Sequence, residues 1–336
     1  MNKRGFSPDE IIFSCTTACN LHCAHCFVNR NSCKLDIKQA VKFLQNSVKS
    51  GKINRIGFSG GEPFLYMDFL LALTKEAVSL DIMFDQIMTN GDWWQNKQDL
   101  TTTLHNLYNA GYDGKIGLSW DKYHGQTTER MQTFIKIVQT VFGDESINIQ
   151  TVGGEIIGLN KSEKTVQRTI FSDLFDKQSL GRTSLRPTPS AGDTPATFAK
   201  QNVVSEYSER ITPPVYTLPR TYPSDAPLAW QARHWFKEDY CQGPGNILYV
   251  HADGNIAPCC GFANENPALF IGRITDDFET IMKNAEQNVM VQRCFTEGLS
   301  HYRRHELKKE LKACSKKLPG KTSDICTFCD FVCKLK

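Results

Sequence analysis

The sequence predicts an α/β protein in which helices cover a mainly parallel sheet, followed by a small cysteine-rich region. Two observations predict this class. Short apolar strands alternate with helices over residues 10–190, and 13 cysteines fall into two groups, residues 15–33 and 241–333. Strand–helix alternation is typical of parallel sheets with right-handed crossovers. A partial (β/α)6 barrel and an open doubly wound sheet both fit six such units.

The individual elements follow from apolar runs and apolar residues at helical spacing. We expect strands at residues 10–16, 53–59, 84–89, 115–120, 146–152 and 180–187. We expect helices at residues 34–50, 65–80, 96–110, 126–142 and 163–176. Polar, glycine-rich and cysteine-rich stretches follow the strands. In a βα barrel the carboxyl ends of the strands carry the functional groups, so we expect the site at that edge.

A change in composition separates the two cysteine groups. Eight of the 14 prolines lie between Pro187 and Pro227, a density that indicates a linker or an extended loop layer. Beyond it, the segment ILYVHADGNIAPCC predicts a β-hairpin that turns at Asp253-Gly254. The resulting organisation is a core over residues 1–190, a proline-rich layer over 191–235 and a cysteine-rich domain over 236–336.

Charge and hydropathy exclude several classes of function. The formal net charge of +3 is too small to indicate a nucleic-acid partner. No apolar run approaches the ~20 residues of a membrane span, and the first residues do not form a secretion signal. We therefore expect a cytoplasmic protein without a membrane or nucleic-acid partner. In a reducing compartment, an odd number of clustered cysteines is typical of metal binding.

The front cysteine group allows three interpretations. Cys19, Cys23 and Cys26 lie at x3 and x2 spacing on a predicted loop. They could hold zinc, with His22 or His25 as fourth ligand, or they could be packed thiols. They could also bind three irons of a [4Fe–4S] cluster and leave the fourth iron open to a ligand.

The motif C-x3-C-x-aromatic-C resembles that of the radical S-adenosylmethionine (SAM) superfamily, with His25 in the aromatic position. Gly60-Gly61-Glu62-Pro63 after the second strand is similar to the GGEP motif of that family, which holds the methionine amino group. The resemblance implies a partial (β/α)6 TIM-type barrel and a [4Fe–4S] cluster that binds SAM. It further implies cofactor contacts from a set of polar residues near the ends of later strands, namely Asn90, Ser119, Asp121 and Arg182.

The resemblance also implies the chemistry. In this family the open iron chelates SAM, whose reductive cleavage gives a 5′-deoxyadenosyl radical. That radical abstracts a hydrogen atom from an unactivated C–H bond. The cofactors supply the difficult chemistry, and the protein supplies position and shelter from water.

The back cysteines resemble the auxiliary-cluster domain of the SPASM/Twitch branch, in its shorter form with one auxiliary [4Fe–4S] cluster. The resemblance implies four ligands, with Cys333 as the competitor for one place: Cys241, Cys259, Cys326 and Cys329. A structural zinc site is the alternative. Four thiolates would make the cluster an electron relay, whereas three would leave an iron open for substrate. Cys260 is a candidate hydrogen-atom donor or a spare buried thiol.

Within this branch we expect epimerisation or cross-linking of a ribosomally made peptide. One alternative is oxidation of a small sugar or aminocyclitol alcohol, and an alternative of another class is a non-catalytic iron–sulfur sensor or carrier. The expected partners are the peptide or small-molecule substrate and a flavodoxin- or ferredoxin-type electron donor. Few residues precede the first cysteines, so a separate leader-peptide-binding protein is a further candidate partner.

Overall fold

The computed structural model describes residues 5–28, 31–153, 167–169 and 212–335. Within these ranges the chain forms one ten-stranded sheet. Its strands are Glu10–Ser14 (β1), Arg55–Ser59 (β2), Met83–Thr89 (β3), Lys115–Ser119 (β4), Ile147–Val152 (β5), Gln167–Thr169 (β6), Val215–Leu218 (β7), Gly245–Val250 (β8), Asn255–Cys259 (β9) and Gly272–Arg273 (β10).

The strand order decides between the two predicted architectures. The order is β10-β9-β8-β1-β2-β3-β4-β5-β7-β6, and the strands from β8 to β6 are parallel to one another. A doubly wound sheet reverses its strand order at a switch point, whereas β1 to β5 follow one another in sequence. The core is therefore a partial barrel of the predicted (β/α)6 type.

Helices connect the strands and follow them at the C-terminal end of the chain. They are Ile37–Lys49 (α1), Met67–Ser79 (α2), Lys97–Asn109 (α3), Thr128–Phe142 (α4), Phe278–Gln287 (α5), Val289–Gln292 (α6), Leu299–His305 (α7), Leu307–Ala313 (α8) and Ile325–Cys333 (α9). Side-chain caps fix several N-termini, as where Asp36 accepts a hydrogen bond from the Gln39 N–H at 2.8 Å. Among the described residues, no helix is both long and apolar enough to cross a membrane.

The core lies between the barrel strands and the helices around them. Ile11 and Phe13 of β1 are fully buried, and the Phe13 ring meets those of Phe43 in α1 and Phe69 in α2 at 6.4 and 5.9 Å. Since successive side chains of a strand point to opposite faces, the intervening residues face the lumen of the barrel. The lumen is therefore lined by a separate set of side chains.

The last barrel strands differ from the prediction. The strand that pairs with β5 is β7, from Val215 to Leu218, inside the range 191–235 that the proline density marked as a linker. The helix predicted over 163–176 is wrong at residues 167–169, which form β6 because they pair with β7. The strand predicted over 180–187 lies outside the described residues.

The predicted hairpin is present and extends the barrel sheet. Strands β8 and β9 are antiparallel and turn at Asp253-Gly254, where Gly254 has a φ of +84°. Strand β8 also pairs in parallel with β1. The cysteine-rich region therefore begins as a continuation of the core sheet, and the division into three domains stays a prediction.

Candidate functional site

The glycine pair before Glu62 lets two loops meet at the carboxyl ends of β1 and β2. The Gly61 N–H donates to the Thr16 carbonyl at 2.6 Å, and the Glu62 N–H donates to the Ala18 carbonyl at 2.8 Å. A Cβ on Gly61 would lie 2.1 Å from the Ala18 oxygen. Glycine is needed there because only a residue without a side chain permits so close an approach. The contact fixes the chain immediately before Cys19.

Glu62 is a fully buried carboxylate beside this loop. It accepts hydrogen bonds from the Thr89 hydroxyl at 2.8 Å and from the Asn90 N–H at 2.8 Å, at the end of β3. Burial raises its pKa to about 7, although these hydrogen bonds act in the opposite direction. A buried carboxylate that is costly to ionise is well suited to pair with an amino group.

Asn90 links β3 to the cysteine loop. Its side-chain amide donates to Asn20 Oδ1 at 2.9 Å and lies 3.7 Å from Cys19 Sγ. Cys23 and Cys26 follow on the same loop, where the Cys26 N–H donates to the Cys23 carbonyl at 3.1 Å. The three predicted front ligands therefore share one loop, next to Glu62 and Asn90.

Asp121 and His124 form a charged pair on the opposite side of this loop. Asp121 Oδ1 lies 2.8 Å from His124 Nδ1, and its Oδ2 accepts from the Val152 N–H at 3.1 Å. Burial alone would lower the pKa of His124, but hydrogen bonds to Asp121 and Cys23 raise it to about 9. Burial alone would raise the pKa of Asp121, but its hydrogen bond to the charged His124 and those from the Val152 and Tyr123 N–H groups lower it. The sequence did not indicate His124, because a lone histidine has no motif.

His25 completes this side of the site. Its ring lies 5.0 Å from the His124 ring and 5.2 Å from the Tyr123 ring. Its Nδ1 is buried without a hydrogen-bond partner among the described residues. Ligand atoms of His25, Asp121 and His124 lie within 4.8 Å of one another, so these groups could also chelate a metal ion. An aromatic wall with an unpaired nitrogen fits a polar, planar ligand such as a nucleobase.

Three other residues were predicted to contact the cofactor: Ser119, Pro63 and Arg182. Ser119 ends β4, and its carbonyl accepts from the Gln126 side chain at 2.9 Å. Gln126 also donates to the Asn90 carbonyl, so it ties the ends of β3 and β4 together, a role that the sequence did not predict. Pro63 begins a 3₁₀ helix over Pro63–Tyr66. Arg182 lies outside the described residues.

The barrel lumen below this edge is polar. Gln86 on β3 accepts from Asn148 Nδ2 and Gln150 Nε2 on β5, both at the long distance of 3.4 Å. Gly117 on the intervening strand makes this possible, because a Cβ there would lie 2.9 Å from Gln86 Oε1. Asn148 Oδ1 is buried without a partner among the described residues. Barrel interiors are ordinarily filled by Val, Ile and Leu, so these amides are candidate contacts for a substrate.

The four predicted auxiliary ligands converge on one cavity. Its lining includes Pro244 and Phe295 and, besides the four predicted thiols, a fifth: Cys241, Cys259, Cys294, Cys326 and Cys329. Two glycines make room for the sulfurs. A Cβ on Gly245 would lie 2.6 Å from Cys241 Sγ, and one on Gly261 would lie 3.0 Å from Cys326 Sγ. The donor set suits iron or zinc, since both are bound by clustered thiolates.

Two further back cysteines lie around this cavity. Cys333 follows Cys329 by one turn of α9 and contacts it, but it is not part of the lining. Cys260 Sγ donates to the Pro244 carbonyl at 3.6 Å. Burial raises the pKa of Cys260 far above its usual value, and the charges of Cys259 and Glu10 add to the effect. Because Glu10 belongs to β1, Cys260 lies close to the barrel.

Comparisons with known proteins agree with the front site. A family model described as a 4Fe-4S single cluster domain matches residues 11–130, the segment that contains the cysteine loop, Glu62 and Asn90. Putative peptide biosynthesis protein YydG of Bacillus subtilis is 21% identical over 323 residues, which cover 93% of this chain and 88% of that protein. The chain resembles radical SAM proteins. The resemblance stated from the sequence is thereby confirmed.

A second relative matches a shorter segment. S-adenosylmethionine-dependent nucleotide dehydratase RSAD2 of Oncorhynchus mykiss is 33% identical over 104 residues, which cover 28% of this chain and 30% of that protein.

Solved structures resemble the chain along most of its length. BtrN in an open conformation gives a TM-score of 0.43 at 17% identity and covers 94% of this chain and 96% of that chain. The enzyme anSMEcpe with bound AdoMet and Cp18Cys peptide gives 0.48 at 15%, covering 87% and 89%. Streptococcus suis SuiB bound to precursor peptide SuiA gives 0.43 at 13%, covering 95% and 76%. All three TM-scores lie below 0.5, and nothing about the chemistry of this chain follows from them.

Of the predicted cofactors, a [4Fe–4S] cluster at the front site agrees with the matched family model, and SAM and one auxiliary cluster stay predictions. The residues fit these groups. Three thiols on one loop lie beside the buried carboxylate of Glu62, and the back thiols share one cavity. Which cysteines bind which cluster stays a prediction.

Proposed function

We propose that this protein is a radical SAM enzyme that modifies a ribosomally made peptide, by epimerisation or by cross-linking. The observation that carries the proposal is the polar lumen of the barrel, which opens toward the front cysteine loop. The bound cofactors supply a radical that removes a hydrogen atom from an unactivated C–H bond. The protein's own residues must then hold the substrate and control what happens to the carbon radical.

The front loop and its neighbours would hold the first cofactor. Cys19, Cys23 and Cys26 would bind the cluster, and Glu62 would accept hydrogen bonds from the methionine amino group of SAM. His25 would pack against the adenine. In this assignment Glu62, which already accepts hydrogen bonds from Thr89 and Asn90, gains a further one. The unpaired His25 Nδ1 lies beside a ligand that can supply the partner a buried polar group requires.

The lumen favours a substrate rich in amide groups. Gln86, Asn148 and Gln150 offer both donors and acceptors, and the Asn148 oxygen lacks a partner among the described residues. A peptide main chain carries the complementary N–H and C=O groups. The name of YydG, a putative peptide biosynthesis protein that matches nearly the whole chain, supports the same substrate class.

Cys260 would complete an epimerisation by hydrogen-atom donation. Removal of hydrogen from a peptide Cα leaves a carbon radical, and the Cys260 S–H bond would break to form the new C–H bond. The resulting thiyl radical would take up one electron and one proton. We assign the electron to a flavodoxin- or ferredoxin-type donor. Cys241, Cys259, Cys326 and Cys329 would hold the auxiliary cluster, which would supply electron-transfer chemistry.

A cytoplasmic location and a separate leader-peptide-binding protein belong to the same proposal. The alternative reaction is oxidation of a sugar or aminocyclitol alcohol, whose hydroxyl groups would also suit the amide-lined lumen. In that case no hydrogen atom returns to the substrate carbon, and Cys260 has no catalytic role.

The test combines SAM cleavage with solvent deuterium. The reconstituted enzyme, reduced with dithionite in D2O, is incubated with SAM and with each short peptide encoded beside its gene. Epimerisation predicts deuterium at Cα of the modified residue, because the Cys260 thiol exchanges with solvent. Cys260→Ala should still cleave SAM but return no deuterium. Cys314→Ala is the matched control, since that thiol follows the end of α8, does not line the auxiliary cavity and donates to the Leu311 carbonyl.

Three results would contradict the proposal. Failure to cleave SAM would support the iron–sulfur sensor or carrier instead. Oxidised sugar or aminocyclitol products, with all peptides unchanged, would support the alcohol dehydrogenase. Deuterium incorporation that persists in Cys260→Ala would remove the role assigned to that thiol.

A further inference from the structure

Cys294 lies at a site that neither cysteine motif includes. It is 3% exposed and belongs to a single π-helical turn, Arg293–Glu297. Such turns make up well under 1% of residues and occur frequently at functional sites. The Cys294 carbonyl accepts from the Cys241 N–H at 2.9 Å. The turn therefore fixes Cys294 against the first of the predicted auxiliary ligands.

The side chain of Cys294 faces the auxiliary cavity. It lines that cavity together with the four predicted ligands, whereas Cys333 does not. Its Sγ lies 3.7 Å from Cys329 Sγ. The cavity thus presents five thiols, while a [4Fe–4S] cluster takes four cysteine ligands, one on each iron.

The distance between these two sulfurs limits how they can bind. Thiolates on different irons of one cluster are separated by two iron–sulfur bonds and by the distance between the irons. Two sulfurs in van der Waals contact therefore reach the same iron and not two different ones. Cys294 and Cys329 compete for a single position.

We propose that Cys294 and Cys329 are alternative ligands for one iron of the auxiliary cluster. The inference rests on the auxiliary cluster assigned under the proposed function. When one Fe–S bond forms the other breaks, and the released sulfur takes the proton that the incoming thiol gives up. No electron is transferred, so the exchange needs no oxidant or reductant.

The experiment isolates the auxiliary cluster in the full chain. In the background Cys19/Cys23/Cys26→Ala, we measure iron, sulfide and the electron paramagnetic resonance signal of a [3Fe–4S] cluster after mild oxidation. Cys294→Ala and Cys329→Ala should each keep about four irons, with no such signal, because the other thiol replaces the missing one. The double variant should lose about one iron and give the signal, since one iron then has no cysteine.

The matched control is Cys329→Ala combined with Cys333→Ala, which should behave like Cys329→Ala alone because Cys333 does not line the cavity. A [3Fe–4S] signal in Cys329→Ala alone would overturn the proposal, as would a double Cys294/Cys329 variant without it. If the Cys19/Cys23/Cys26→Ala protein itself holds no iron, the auxiliary cluster of the proposed function is refuted. This result differs from a [3Fe–4S] signal in Cys329→Ala, which refutes only the exchange of ligands.

Discussion

Burial of Glu62 predicts that the cluster-free protein loses stability as the pH rises. Burial raises the pKa of this carboxyl from 4.5 to about 7. Between about pH 4.5 and 7, Glu62 therefore keeps its proton in the folded protein but has released it in the unfolded chain. One unit of difference between the pKa of Glu62 in the unfolded and folded states corresponds to about 1.4 kcal/mol. Protonated Glu62 therefore contributes about 3 kcal/mol to the free energy of unfolding below about pH 4.5, and this contribution is lost by the time the pH passes about 7.

The perturbation that tests this value is Glu62→Gln. The substitution removes the titration but turns an amide N–H toward the Asn90 N–H, which costs about 1–3 kcal/mol at every pH. We expect the variant to be less stable than the wild type at about pH 5. The difference should narrow by about 2–3 kcal/mol by about pH 8.

The assay is denaturant unfolding of metal-free, fully reduced protein at several pH values. Glu129→Gln is the matched control for the loss of a carboxylate, because Glu129 lies in the first turn of α4 and forms no part of the buried site. A constant difference between Glu62→Gln and the wild type would refute the reasoning, since the carboxyl would then ionise equally in the folded and unfolded states.

Two further predictions concern glycines that make room for the clusters. Gly61→Ala places a Cβ 2.1 Å from the Ala18 carbonyl oxygen, so it should cost about 1–3 kcal/mol and lower the iron bound at the front loop. Gly143→Ala is its control: its φ of +99° makes alanine strained there as well, but a Cβ meets nothing within 4 Å, so this variant should lose stability without losing front iron. Unfolding and iron analysis compare the two. Gly245→Ala places a Cβ 2.6 Å from Cys241 Sγ, so it should lower auxiliary iron while SAM cleavage persists. Equal loss of front iron in both Gly61→Ala and Gly143→Ala, or unchanged auxiliary iron in Gly245→Ala, would contradict these assignments.

Local sequence signals predict the first five barrel strands and the loops that follow them. Strands β1 to β5 lie within a few residues of their predicted positions, because each is a short apolar run bounded by a turn or a helix cap. Glu62 and Asn90 were recognised through the resemblance of their positions to those of the radical SAM family, since a turn motif alone does not reveal a binding role. The contact of that motif with the chain before Cys19 follows directly from the parallel pairing of β1 and β2.

Features that depend on contacts between residues far apart in the sequence could not be predicted from local sequence signals. Strand β7 lies among prolines and is a strand because it pairs with β5. Cys294 stands alone in the sequence, and only the packing of its π-helical turn against Cys241 brings it to the auxiliary cavity.

The polar side chains in the lumen could have been predicted from the sequence of β5. Asn148 and Gln150 alternate with apolar residues along β5, which predicts a polar face on a strand expected to be buried on both sides. The contact of these two residues with Gln86 still requires the barrel, since β4 lies between their strands.

The central claim is that the chain holds two iron–sulfur clusters, one at each cysteine group. The most direct measurement is iron and sulfide content after anaerobic reconstitution of the wild type and of Cys19/Cys23/Cys26→Ala. We predict about eight irons in the wild type and about four in the variant. About four irons falling to none would contradict the claim, because the back cysteines would then hold zinc or no metal.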